Sequence, residues 1–223
     1  MDISIYLPPP PKEHPIIRKV KKDRIEYRRN SLLHNIDDNP AVIRDDGTRE
    51  WHQNGSKHRS EEKGPAIIRP DGTQEYYLCG AKHRINGPAI IHPDGSEEYY
   101  YKGHKHREKD LPAVINVNGR KEWWSSGLRH RENDKPALIT EEGIQVWYFA
   151  GQMVRVKGKA NVILADGTQC WYKDNLLHRS WDEGPAMLCP DGTSKYYCHG
   201  KQIFTREGSL FVEERYKEGI VIV

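Results

Sequence analysis

The chain has 223 residues, of which 36% are hydrophobic and 30% are charged. This polar composition excludes a large compact core and predicts a thin or extended fold, while 6 tryptophans and 12 tyrosines argue against extensive disorder. The formal net charge is +3, and the excess of basic residues lies within residues 1–31. The rest of the chain is close to neutral and lacks the basic stripe of a nucleic-acid-binding body.

The first predicted element is an extended arm, residues 1–14, with four consecutive prolines from Pro8 to Pro11. A proline run of this kind favours polyproline II, which is typical of linkers and peptide ligands. A solvated tail, a docking segment and a nucleic-acid contact are all open for the arm. We find no apolar signal-peptide core at the N-terminus and no apolar run that could span a membrane.

Residues 15–34 follow as a degenerate copy of a repeat, with Tyr27 and His34 in register. Its many basic residues suit a solvated cap of the array. They are also candidates for anion binding, together with the arginines of the array. The basic candidates in the cap are Lys21, Lys22, Arg24, Arg28 and Arg29.

The main element is a repeat array, residues 35–202, of about seven copies with a period of roughly 24 residues. Turn glycines, most of them in Asp-Gly pairs, mark the copies, and a regular period of this kind indicates a repeat architecture. The glycines are Gly47, Gly72, Gly95, Gly119, Gly143, Gly167 and Gly192.

Other positions recur at fixed distances from each turn glycine. A first aromatic residue lies four positions later, a second glycine lies eight positions later except at Asn175, and a His-Arg pair usually begins eleven positions later. Asparagine readily adopts positive φ, so Asn175 retains the backbone requirement of a glycine. A second aromatic residue follows the first in six copies, at Tyr77, Tyr100, Trp124, Tyr148, Tyr172 and Tyr197.

The spacing predicts one β-hairpin in each copy. A strand such as Ala66–Arg69 meets Asp71-Gly72, and a second strand runs from Gln74 to Leu78 before Gly80 turns the chain into the next copy. Because a single hairpin is marginal in water, neighbouring hairpins must pair. The expected fold is therefore all-β: an elongated array forming one twisted antiparallel sheet or a flattened solenoid.

Cap strands are expected at the C-terminal end, residues 203–223, where the repeat pattern decays. The last segment is apolar and β-branched and carries nothing that blocks edge pairing. Addition of this strand to another protein or to a second copy is one prediction, and folding back onto the last hairpin is the alternative. The residues concerned are Ile220, Val221, Ile222 and Val223.

The array resembles the MORN repeat, and more closely its divergent variant with W-Y-x-x-G-x-x-H-R-x-x-G-P-A units. The clearest copy is Y-Y-L-C-G-A-K-H-R-I-N-G-P-A, from Tyr76 to Ala89. The approach to the sixth copy departs from the pattern, with Val154-Arg155 for His-Arg and Ala160-Asn161 for Pro-Ala. Proteins similar to this occur in large DNA viruses and phages, and MORN arrays serve as scaffolds and dimerisation modules. The resemblance therefore implies a scaffold.

No catalytic constellation is found, so we expect no enzyme activity. The Asp-Gly turns or close equivalents recur in every copy and are explained by turn chemistry, and no P-loop, G-x-S-x-G or H-E-x-x-H motif is present. One histidine per copy cannot build a metal site, because equivalent residues lie about 9–10 Å apart. Each histidine is instead expected to bond the neighbouring turn, and each arginine to cover aromatic surface.

The leading hypothesis is a non-catalytic scaffold for protein–protein interaction or self-association, as a structural or assembly component of a virus particle. The second aromatic residues and Ile220 to Val223 are its candidate contacts. The alternatives are an anion-binding module for nucleic acid or acidic lipid and an inhibitor of a host defence protein. Four unpaired cysteines indicate a reducing intracellular compartment, and no cofactor or small-molecule substrate is expected. The candidate anion contacts in the array are Arg59, Arg84, Arg107, Arg131 and Arg179.

Overall fold

The computed structural model describes residues 14–156 and 158–203, which form antiparallel β-hairpins apart from one 3-10 turn, Trp181–Glu183. The predicted all-β hairpin array is confirmed. No helix within the described ranges is long and apolar enough to cross a membrane. The chain divides between Lys82 and His83 into two compact units.

In the unit before residue 83, six strands form an antiparallel sheet in the order β1-β2-β4-β5-β8-β9, and β3 pairs with the end of β2. Two further hairpins, β6–β7 and β10–β11, stand outside this sheet. The strands are β1 (Ile17–Val20), β2 (Arg24–Arg29), β3 (Leu32–Leu33), β4 (Val42–Arg44), β5 (Arg49–Glu50), β6 (His52–Gln53), β7 (Ser56–Lys57), β8 (Ile67–Ile68), β9 (Gln74–Glu75), β10 (Tyr77–Leu78) and β11 (Ala81–Lys82).

In the unit from residue 83 onward, an antiparallel sheet follows the same scheme in the order β12-β13-β16-β17-β20-β21-β22-β23-β26-β27-β28. The separate hairpins are β14–β15, β18–β19 and β24–β25. The strands are β12 (Ile90–Ile91), β13 (Glu97–Glu98), β14 (Tyr100–Tyr101), β15 (His104–Lys105), β16 (Val114–Ile115), β17 (Lys121–Glu122), β18 (Trp124–Ser125), β19 (Leu128–Arg129), β20 (Leu138–Ile139), β21 (Gln145–Val146), β22 (Val162–Ile163), β23 (Gln169–Cys170), β24 (Tyr172–Lys173), β25 (Leu176–Leu177), β26 (Met187–Leu188), β27 (Ser194–Cys198) and β28 (Lys201–Ile203).

A complete internal copy thus contains two hairpins, where the sequence predicted one. The predicted strand from Gln74 to Leu78 is divided at Tyr76 into β9 and β10. Gly80 does not lead directly into the next copy, because it lies in the turn of the second hairpin, β10–β11. We call the hairpin around the turn glycine the first hairpin, and the one around the second glycine the second hairpin.

The division falls at the first aromatic residue, because its backbone bonds in two directions. The N–H of Trp123 donates to the carbonyl of Ala137 in the next copy at 2.8 Å. The carbonyl of Trp123 accepts from the N–H of His130, at the end of its own second hairpin, at 3.1 Å. A residue with these two partners cannot continue one regular ladder, so the chain leaves the sheet and begins the second hairpin.

The two turns of a copy use different backbone geometry. In the first turn only the glycine has positive φ, and the aspartate before it accepts the N–H two residues later, as Asp71 does from Thr73 at 2.8 Å. In the second turn both central residues have positive φ, as in Cys79 (48°) and Gly80 (87°), which is a type I′ hairpin. Asn175 has φ 63°, so its predicted role in place of glycine is confirmed.

The core lies between the two hairpins of each copy. The alanine after each proline is fully buried, as in Ala66 and Ala113, and first aromatic residues such as Tyr76 and Trp123 are buried as well. The backbone carbonyl of this alanine accepts the N–H of a preceding aromatic residue at 2.7–2.9 Å in both units. The core therefore consists of a few buried residues in each copy, as the polar composition predicts.

Candidate functional site

The histidines of the His-Arg pairs, and His34 of the cap, bond the second turn of the following copy. Each Nδ1 accepts a backbone N–H at 3.1–3.3 Å. An accepting Nδ1 carries no proton, so the ring is neutral in this arrangement. The predicted bond to the neighbouring turn is confirmed for His34, His58, His83, His106, His130 and His178.

The arginines of the same pairs cover the first aromatic rings. Arg131 lies 3.7 Å from the centroid of Trp123, donates to the carbonyl of Pro136 at 3.1 Å, and contacts Asp110 at 2.6 Å. Arg155 has the same three kinds of contact at Trp147, Ala160 and Asp134 although its histidine is replaced by Val154. Stacking also occurs at Arg59, Arg107 and Arg179, and Arg84 donates to the carbonyl of Pro88.

These ion pairs hold the loop aspartates ionised. The hydrogen bonds from Arg131 and Lys135 lower the pKa of Asp110 to about 2, and those from Arg155 and Lys159 lower the pKa of Asp134 to about 2. The arginine row proposed for anions is therefore already engaged with carboxylates and carbonyls of the chain. An external anion would have to compete with these groups.

The basic residues of the cap are placed differently from one another. Lys21 and Lys22 are exposed, Arg24 and Arg28 both contact the buried carboxylate of Glu26, at 2.8 and 2.9 Å, and Arg29 is half-buried. Of the five residues of the cap that were predicted to bind anions, Lys21 and Lys22 are therefore the exposed ones.

A row of internal glutamates is the feature that the sequence analysis missed. Each lies three residues after a turn glycine or at the equivalent position of the cap, on the side of the strand that faces the second hairpin. We call them the glutamate row: Glu26, Glu50, Glu75, Glu98 and Glu122, of which Glu98 is half-buried and the others are buried.

Each member of the glutamate row has two or three basic partners from the same copy. Glu75 contacts Arg69 of the first hairpin at 2.5 Å and Lys82 of the second at 3.3 Å. At Glu50, the hydrogen bonds from His52 and Arg44 together lower the pKa to about 2 against the opposing effect of burial. The carboxylates therefore tie the two hairpins of a copy together.

The predicted partner-contacting aromatic residues line the same interior. The polar atoms of Tyr77, Tyr100 and Trp124 donate to the glutamate two residues earlier at 2.9–3.0 Å. All six second aromatic residues are half-buried. Tyr148 and Tyr172 pack on an apolar cluster, and the hydroxyl of Tyr197 lies 3.3 Å from Gln202. Their contact with a partner stays a prediction.

The chemistry of this interior changes after Glu122. Val146 and Cys170 occupy the next two positions of the row and form a buried cluster with Leu138 and Val162. The two cations that pair with a glutamate in the earlier copies are also replaced. Thr140 and Met153 take their positions beside Val146, and Leu164 and Leu177 take them beside Cys170. Burial raises the pKa of the Cys170 thiol to about 11, so this thiol is protonated at neutral pH.

The divergent segment that leads into the sixth copy has a different set of hydrogen bonds. Asn161, in place of the usual alanine, is buried and bonds the carbonyl of Met153 at 3.0 Å and both backbone groups of Tyr172 at 2.7 and 2.8 Å. A cleft of about 480 Å³ is lined in part by Phe149, Val154 and Arg155 of the preceding segment. Three side-chain hydrogen bonds thus replace part of the regular pattern.

Exposed apolar side chains flank the second turns of the unit from residue 83 onward. One of the two turn-flanking residues is apolar and 46–59% exposed in four successive copies. Successive turns are in contact, because a Cβ placed on Gly151 would lie 3.3 Å from Leu128 and one on Gly200 would lie 3.4 Å from Leu176. We call this row the apolar edge: Tyr101, Leu128, Phe149 and Leu176.

No protein-family model matches the chain, and a search of curated proteins gives no match. The resemblance to MORN-like repeats therefore stays a prediction. Pro8 to Pro11 and the predicted edge strand Ile220 to Val223 lie outside the described residues.

Proposed function

We propose that the chain is a non-catalytic scaffold that binds a protein partner, and that the apolar edge makes the contact. The observation that carries the proposal is the contrast between the two sides of the second hairpins. The inward side is engaged with the glutamate row in the copies of Tyr101 and Leu128 and packs on the apolar cluster in the copies of Phe149 and Leu176, whereas the outward side presents regularly spaced apolar groups to solvent. Exposed rows of apolar side chains are typical of protein-binding surfaces.

The edge also has the composition of an interface core. It includes an aromatic side chain, Phe149, that is 59% exposed and stacks against His130 at 4.8 Å. Aromatic anchors carry a large share of binding energy at protein interfaces. Of the residues that the structure describes, those of the edge replace the half-buried second aromatic residues as the best candidate contacts.

The test is capture of partners from extracts of the source organism by the full chain, with a charged edge variant compared against a matched control. The edge variant is Leu128→Lys with Phe149→Lys. The control is Val117→Lys, because Val117 is 63% exposed in the same unit but lies in a first turn. We expect affinity for the captured partner, or for a second copy, to fall at least about tenfold in the edge variant alone.

Equal binding by the edge variant and the wild type would refute the assignment of the edge. Capture of no partner, together with a monomeric chain at high concentration, would refute the scaffold itself. Membership of a virus particle and inhibition of a host defence protein are narrower forms of the proposal, supported only by the resemblance to MORN-like proteins. The identity of the captured protein distinguishes them.

Anion binding is the second candidate, and the exposed pair Lys21 and Lys22 favours it. Binding of nucleic acid or acidic vesicles would weaken steeply as salt increases, because counterions are released. Partner binding at the apolar edge would not show that dependence.

A further inference from the structure

Three groups that bind soft metals converge where the second hairpin of one copy meets the turn of the next. His178 follows β25, while Cys198 and His199 lie at the end of β27 and in its turn. Two backbone contacts fix this meeting: the N–H of Gly200 donates to the carbonyl of Leu177 at 2.8 Å, and that of His199 donates to Nδ1 of His178 at 3.2 Å.

The distances within this cluster are close to those of a coordination sphere. One donor atom from each side chain lies within 4.8 Å of the others, and the sulfur of Cys198 lies 3.2 Å from Nδ1 of His199. The rings of His178 and His199 are 4.3 Å apart. Ligand atoms around a tetrahedral zinc ion lie roughly 3.3–3.8 Å apart, so a side-chain adjustment of about 1 Å closes the triangle.

The electrostatic setting suits a cation. Nδ1 of His178 accepts the N–H of His199, which leaves Nε2 as the ring nitrogen that can coordinate a metal. Asp174 and Glu183 lie near enough to act on His178 electrostatically. Their negative charges favour a bound cation.

The cluster is absent from the equivalent positions of the other described copies. At His58, the sulfur of Cys79 lies 3.7 Å from the ring, but Leu78 occupies the position equivalent to Cys198. His83, His106 and His130 meet turns without a cysteine or histidine at the two positions concerned. Turn geometry alone therefore does not require Cys198 and His199. The repeat pattern, with one histidine per copy, does not reveal the cluster, because Cys198 and His199 come from turn positions that vary between copies.

We propose that His178, Cys198 and His199 form a Zn²⁺ site that clamps the last two described copies together, with water or an external ligand in the fourth position. Two imidazoles and one thiolate are a donor set that zinc prefers. Cys198 binds as the thiolate and releases its proton to solvent. The clamp lies where the repeat loses its usual contacts, because Gln202 and Ile203 stand in place of the cation and the histidine of other copies.

The experiment titrates the reduced, metal-free full chain with Co²⁺ and then displaces the cobalt with Zn²⁺. We expect one Co²⁺ per chain, with the charge-transfer absorption of a cobalt–thiolate bond. Cys198→Ser abolishes that absorption, and both it and His199→Asn weaken Zn²⁺ binding about tenfold or more. Asparagine suits position 199, where φ is 46°. The matched control is Cys79→Ser, which removes the analogous thiol beside His58 and leaves binding unchanged.

A second measurement does not depend on the folding of a variant. In the wild-type chain, we expect Zn²⁺ to slow alkylation of Cys198 but not of Cys79, measured by mass spectrometry of the labelled peptides. Absence of a cobalt–thiolate band, or equal protection of both cysteines, overturns the proposal. So does a Cys79→Ser variant that loses zinc as Cys198→Ser does.

Discussion

Replacement of Glu50 by glutamine tests whether the glutamate row stabilises the fold through its charge. The side chain keeps its size but loses the charge that Arg44 contacts at 2.6 Å and that His52 contacts at 3.1 Å. The carboxyl pKa falls from 4.5 to about 2 on folding. At about 1.4 kcal/mol for each pKa unit, the ionised carboxylate contributes about 3 kcal/mol.

The contribution has a defined pH dependence. Since the pKa of Glu50 is lower in the folded chain, its stabilisation is complete above about pH 4.5 and is lost as the pH falls toward 2. We therefore expect Glu50→Gln to destabilise β4 and β5 by about 2–3 kcal/mol at pH 7, and by less than half as much at about pH 3.

Native-state hydrogen exchange of the β4 and β5 amides measures this local free energy without requiring two-state unfolding of the repeat array. The matched control is Glu62→Gln, because Glu62 is exposed in the same unit, and a change within about 0.5 kcal/mol is expected there. A cost for Glu50→Gln that is equal at both pH values, or no larger than the control, would refute the reasoning.

Two further substitutions test the turns and the change in the interior. At Gly143, where φ is 88° and a Cβ would meet nothing within 4 Å, valine should cost about 1–3 kcal/mol more than asparagine; equal melting temperatures of the two variants would contradict the turn assignment. Val146→Glu should destabilise its copy by about 3 kcal/mol or more, because a buried carboxylate would face Thr140 and Met153 instead of cations; urea unfolding measures the cost, and co-substitution Met153→Lys should recover part of it.

Much of the fold follows from the sequence because turn residues recur with one backbone requirement. The φ values at Gly95 and Asn175 follow from their positions in the repeat, and the bond from His106 to the next turn follows from its fixed distance to the proline. The second hairpin was missed because an alternating stretch such as Gln74–Leu78 is equally compatible with one strand or two. Only the backbone bonds of the first aromatic residue to two different segments, as at Trp123, show where such a stretch divides.

The candidate sites were less predictable for a related reason. A glutamate in a short polar strand is ordinarily exposed, and Glu75 is buried only because the second hairpin folds over it. The apolar edge alternates between the two sides of the turn, with Tyr101 before one glycine and Leu128 after the next. No single repeat position therefore displays the edge in the sequence.

The change of interior chemistry after Glu122 gives neighbouring copies opposite responses to the dissolved salt. Sulfate strengthens the burial of apolar groups such as Val146 and Cys170, because it is excluded from the protein surface. The same salt screens the part-exposed cations that hold Glu98 and Glu122. The salt in the buffer therefore determines which stretch of this unit has the lower local stability and unfolds first.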